Sequence, residues 1–77
     1  MDWKDCTAVE SKPDIHNGAP VVRGTRLTVE DSILGNLEAG VPEDELPMLF
    51  PVLKGKQREL RDIISFARKR MYVPNLV

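Results

Sequence analysis

Two side chains in this sequence are suited to nucleophilic or metal chemistry, and neither has the company that such chemistry needs. His16 is the only histidine and Cys6 the only cysteine among the 77 residues. A metal cage needs more Cys and His ligands than these. No Cys, Asp or Glu stands at ligand spacing from His16. Catalysis needs a nucleophile or base held by an orienting partner in a cleft, and chains this short rarely enclose one. The residues therefore point away from an enzyme, with no metal and no cofactor. Arg23 and Arg26 bracket Gly24-Thr25, a grouping that would suit a phosphate cradle. The glycines, Lys and Ser/Thr of a phosphate loop are missing. The reading preferred here is a bend, with Gly24 in a conformation other residues resist and the arginines tying strand to helix.

The remaining chemistry is that of charge. Residues 1–53 carry four basic against ten acidic side chains, a net of −6, and residues 54–77 carry seven against two, a net of +5. Such asymmetry suits an end that faces a polyanion. It also suits a solvated helix whose basic C-terminus complements its dipole. Lys54, Lys56, Arg58, Arg61, Ser65 and Arg68 are the side chains placed to meet phosphates or base edges.

The elements that must position them follow from periodicity. Leu60, Ile63, Ile64, Ala67 and Met71 form one apolar stripe, so the clearest helix is the last. Arg61 and Arg68 share one flank of it, with Arg58 and Ser65 beside them and Lys69 beyond. Phe66 lies at the stripe's margin, and Pro74 ends the helix. Upstream, Thr7-Ala8-Val9 reads as a short strand and Trp3 as a packing residue at the core edge. Asn17-Gly18 is a turn dipeptide, and Val21-Val22 is an extended strand. Thr28 and Asp31 have capping-box spacing, which starts a helix running from about Val29 to Ala39. Ile33, Leu34 and Leu37 are its buried stripe, Gly35 marks a close approach, and Gly40 stops it. Pro42 opens a second helix whose Leu46, Leu49 and Phe50 face inward. Pro47 makes that helix short, irregular or bent, and Pro51 ends it.

The expected fold is mainly α: a short N-terminal β-strand or hairpin followed by a three-helix, helix-turn-helix-like bundle. The chain reads as one domain, with its core over about 13–71 and a tail at 72–77. A core this small is good for roughly 3–5 kcal/mol, so a homodimer is expected. Val21 and Val22, on an exposed strand edge, with Arg23 and Arg26, are the expected interface. A lone thiol suits a reducing cytoplasm, and no stretch is long and apolar enough for a signal peptide or a membrane span.

Beyond these readings, Pro13-x-Ile15-x-x-Gly18-x-Pro20-x-Val22-Arg23-Gly24-Thr25-Arg26-Leu27-x-Val29 resembles the signature of a prokaryotic family known as domain of unknown function 433. The likeness continues through Ile33, Leu37, Gly40, Leu46, Phe50, Pro51 and Leu53 to Phe66-Ala67. Pro47 departs from it, as does a longer link over 54–59. The resemblance implies a strand or hairpin before a compact, often dimeric helical bundle. It further implies an antitoxin similar to the VapB type, which binds a PIN-like ribonuclease toxin and represses its own promoter DNA. The expected function is thus a small non-catalytic DNA-binding regulator. The alternative is a protein-interaction module, toxin-neutralising or dimerising, that binds no DNA.

Overall fold

The fold is that of a computed structural model, which describes residues 2–70. It is mainly helical, with a two-stranded antiparallel hairpin followed by three helices. Strand β1 is Val9–Glu10 and strand β2 is Val21–Val22, with Val9 opposite Val22 and Glu10 opposite Val21. The Arg23 N–H donates to the Ala8 carbonyl at 2.9 Å, which continues the pairing into the stretch where a strand was expected. Asn17-Gly18 does not make a two-residue hairpin turn. His16–Gly18 instead forms one turn of 3-10 helix inside a longer loop, with φ of +48° at His16 and +56° at Asn17. Positive φ is uncommon for a residue with a Cβ. Here the His16 ring holds the turn through Nε2, 2.9 Å from the Arg26 carbonyl oxygen.

β2 is not the open edge that its β-branched pair suggests. One side pairs with β1. On the other, Val21 bridges Thr28, the Val22 N–H donates to Leu27 and the Val29 N–H donates to Pro20. Val21 and Val22 have no exposed surface at all. The chain doubles back immediately after β2 and spends the strand's free donors and acceptors on itself. An edge-to-edge dimer through Val21 and Val22 therefore has no edge to use.

The first helix begins as a wide π-helical segment, Val29–Leu34, and continues as α1, Gly35–Glu38. Thr28 does not close a capping box. Its hydroxyl lies 2.9 Å from Ser32 Oγ, and no side chain caps the helix N-terminus. Gly35 is not a point of close approach either. It is exposed, and a Cβ there would sit at an ordinary 3.6 Å from the Glu30 carbonyl oxygen. Gly40 ends the helix as expected. With φ +98°, it lets its own N–H reach the Leu37 carbonyl and that of Val41 reach Asn36, the paired bonds of a Schellman stop.

The middle element is broken. Glu43–Glu45 is a 3-10 turn, α2 is the single α-turn Leu46–Leu49, and Pro51–Leu53 is again 3-10. Pro47 lies in the first turn of α2, where no N–H is required. The changes of pitch rotate the segment, so Leu46 and Leu53 are fully buried and Phe50 partly so. Leu49, expected inside, is 54% exposed, beside Met48 at 76% and Val52 at 49%.

α3, Gln57–Arg70, is the one long helix among the described residues, and it buries Leu60, Ile63, Ile64 and Ala67 as the stripe requires. Met71, Pro74 and the 72–77 tail lie outside the described residues. The stripe meets Val29, Ile33, Leu34, Leu37, Leu46 and Leu53 in one core. That core reaches further upstream than residue 13, through Val9, Ala8 and Cys6 to Trp3. Trp3 packs as expected, stacked on Phe66 with ring centroids 5.3 Å apart.

Candidate nucleic-acid interface

At about 100° per residue, burying Leu60, Ile63, Ile64 and Ala67 forces Arg58, Asp62, Ser65 and Lys69 onto the outer ridge of α3. All four are exposed. Gln57, Arg61 and Arg68 occupy the flank toward the acidic turn. There Glu43, Asp44, Pro47, Gln57, Leu60 and Arg61 line an open groove of about 450 Å³. Phe66 and Arg70 occupy the other flank, toward the N-terminal lead-in.

The expected contact set divides. Among the described residues Arg58 and Arg61 form no ion pair, and neither does Lys69. Lys54 is exposed but lies in the turn before the helix. Ser65 sits on the ridge between Arg58 and Lys69. Arg68 is engaged within the chain, 4.0 Å from the Glu43 carboxylate, with both side chains about half exposed. That pair is loose and water-bathed, and such pairs contribute about 0–1 kcal/mol. Arg70 is held 3.8 Å from Asp5, with its guanidinium 4.7 Å from the Phe66 ring centre.

Lys56 turns away from the ridge. Its Nζ lies 3.1 Å from where a Cβ on Gly24 would stand, so it covers the bend that follows β2. There it joins a cluster centred on Glu10, a residue that sequence patterns do not single out. The Gly24 N–H donates to Glu10 Oε2 at 2.9 Å. Arg23 lies 3.5 Å and Lys12 3.8 Å from the same carboxylate. The hydrogen bond from Gly24 is the main cause that holds the Glu10 carboxyl below its ordinary value of 4.5. Burial opposes that, and Lys12, Arg23 and Lys56 reinforce it. A carboxyl with a lowered folded-state pKa stabilises the fold above its unfolded pKa, and loses that effect as pH falls through the folded value. Glu10→Gln is therefore expected to be less stable than the parent at pH 7. That gap should close between pH 4.5 and the lower folded value of Glu10. Denaturant midpoints on both sides of the window measure it, and a gap independent of pH would contradict this role.

The rest of the arginine–glycine bend is also spent on folding. Gly24 has φ +79°. Thr25 Oγ1 donates to the Val22 carbonyl at 2.8 Å and accepts the Leu27 N–H at 3.0 Å. Arg23 donates from Nε to the Thr7 carbonyl and from Nη2 to that of Val9, at 3.3 Å for the latter. It thus ties the bend to the lead-in strand, not to the helix. The Arg26 side chain is exposed, and its carbonyl receives the His16 ring. Val21, Val22 and Arg23 of the expected interface are thus internal ties or core.

Cys6 is a buried free thiol. No three His, Cys, Asp or Glu side chains among the described residues gather as metal ligands. No helix among them is long and apolar enough to cross a membrane.

No curated protein and no solved structure matches the chain. A family model does, over residues 9–67, and this span runs from β1 through the bend and the broken middle element to the last buried residue described in α3. The chain belongs to the family described as Protein of unknown function (DUF433).

Proposed function

We propose that this chain is a small non-catalytic DNA-binding regulator, the antitoxin of a pair whose toxin is a PIN-like ribonuclease. The observation that carries the DNA half of this reading is the cationic side of α3. Arg58, Arg61 and Lys69 project from the only long helix, exposed and without an ion pair among the described residues. Unpaired guanidinium groups on a rigid helix suit phosphate oxygens and base edges. The contact set is narrower than sequence alone suggests, because Lys56 serves the hairpin and Arg68 faces Glu43. The toxin half rests on what the resemblance carried by Pro13 to Val29 implies for the family, whose model matches residues 9–67.

Fluorescence anisotropy with a duplex from upstream of the chain's own coding region tests the DNA half. The parent is expected to bind at low salt. The double variant Arg58→Glu/Arg61→Glu is expected to lose at least about a hundredfold in affinity, as two phosphate contacts become repulsions. Equal binding by parent and variant would overturn the assignment to α3. The reading frame beside the chain's own gene is expected to encode a PIN-like ribonuclease; absence of one, or growth arrest by it that co-expression of this chain leaves unrelieved, would count against the toxin half.

A further inference from the structure

The outer ridge of α3 holds one residue that a purely cationic role does not account for. Asp62 is exposed there between Arg58 and Ser65, with Lys69 beyond. Its carboxylate forms no ion pair among the described residues. Arg58 stands one turn before it and leaves it unpaired. The order accounts for this, since a cation four residues N-terminal to an acid is the weaker arrangement on a helix. A bare carboxylate on a face offered to a polyanion is repelled wherever it lies against phosphate. Its place on the ridge gives it other neighbours.

A helix about 10–12 Å across fills a major groove about 12 Å wide. Its flanks then lie beside the two phosphate backbones, and its outermost ridge lies over the base edges. Arg58, Asp62, Ser65 and Lys69 fall within about 60° of arc at about 100° per residue, opposite the buried stripe. Arg58 and Lys69 have long side chains that can turn from the ridge to a phosphate. Asp62 is short and meets what lies directly beneath it. It stands in the first half of α3, the part of a recognition helix that reaches bases. An ionised carboxylate only accepts hydrogen bonds. The donors on the major-groove edge are the amino groups of cytosine and adenine. Adenine sets its N7 acceptor beside its donor, which repels a carboxylate, and guanine and thymine offer no donor there.

We infer that Asp62 is a specificity residue of this helix, accepting a hydrogen bond from the amino group of a cytosine in the DNA that α3 contacts. The inference rests on the DNA half of the function proposed above and adds a base that the chain selects. Arg58, Arg61 and Lys69 supply an attraction that every sequence shares. Asp62 lowers that attraction everywhere and restores it at one base pair.

Selection by the full chain from duplexes with a randomised centre, at one fixed salt concentration, tests this. The parent is expected to enrich sequences with a cytosine at one position. Asp62→Asn introduces a side chain that suits adenine N6 and N7, so its pool should carry adenine at that position and match the parent elsewhere. Exchanging the selected cytosine should weaken binding by the parent about tenfold and leave binding by Asp62→Ala unchanged. On the exchanged duplex Asp62→Ala should bind more tightly than the parent, because the repelling charge is gone. Loss of folding cannot produce such a gain, and the urea midpoints of both variants should match the parent, since Asp62 is exposed. A parent that binds no duplex overturns the proposed DNA binding itself, and this inference with it. A parent that binds through Arg58 and Arg61, while Asp62→Ala keeps the parent's base preference, overturns the role of Asp62 alone. A parent that binds every sequence alike does the same.

Discussion

Ile63→Ala is expected to lower the unfolding free energy by about 3 kcal/mol, within the 2–5 kcal/mol range for truncating a buried isoleucine. Ile63 has no exposed surface and sits mid-way along the α3 stripe. It packs in the core that also holds Val29, Ile33, Leu46 and Leu53. The loss combines the transfer of the removed methyl and methylene groups with the cavity left among side chains that are themselves anchored. A chain of this length has only about 4–12 kcal/mol in total at the usual 0.05–0.15 kcal/mol per residue, so one substitution removes a large share. Urea denaturation reads the effect as a lower midpoint at unchanged slope. Ser65→Ala, on the exposed ridge of the same helix, should stay within about 0.5 kcal/mol of the parent. Equal effects at the two positions would mean that α3 does not bury the face described.

The second large effect concerns the bend after β2. Thr25→Val keeps the shape of the side chain and removes its hydroxyl. Thr25 is 8% exposed, and its Oγ1 both donates to Val22 and accepts from the Leu27 N–H. The valine variant leaves that partly buried N–H without its acceptor. Such a loss costs about 1–3 kcal/mol. Thr25→Ser retains the hydroxyl and gives up a methyl group, worth about 0.8 kcal/mol. Valine should therefore be the more damaging substitution, although it is the closer match in volume. Thermal or urea unfolding of the pair decides this. If serine proves worse, methyl packing and not hydrogen bonding holds the bend.

How much of this fold is legible in the sequence depends on how far each signal is local. The stripe of α3 is plain because a long amphipathic helix repeats its signal over four turns and nothing interrupts it. The stop at Gly40 and the bend at Gly24 are legible because positive φ is a property of one residue. The middle element is harder. Pro47 announces an irregularity, but the inward or outward facing of Leu49 depends on two changes of helical pitch that no single residue encodes. The wide segment after Thr28 carries no sequence signal either, and the Thr28 hydroxyl meets Ser32 where a cap was expected. The β-branched pair Val21-Val22 reads as an exposed edge until the chain is seen to double back and cover it.

The candidate site divides in the same way. Arg58, Arg61 and Ser65 follow from helical geometry alone. The engagement of Lys56 is a tertiary fact, since the residue lies far along the chain from the Gly24 bend it covers. Glu10 carries no sequence signal for its part in that cluster, because its partners come from the loop, the bend and the start of α3. The bend's four residues, the most distinctive string in the chain, are used mainly to build the hairpin, so distinctiveness there does not mark a ligand site.

The most direct test of α3 as a DNA-binding element is the salt dependence of association with the upstream duplex. With Arg58, Arg61 and Lys69 each displacing counterions, the slope of log K against log salt should be about −3 per protomer, and Arg61→Ala should make it shallower by about 1. A flat salt profile, or a slope that Arg61→Ala leaves unchanged, would contradict the assignment of DNA contact to this helix.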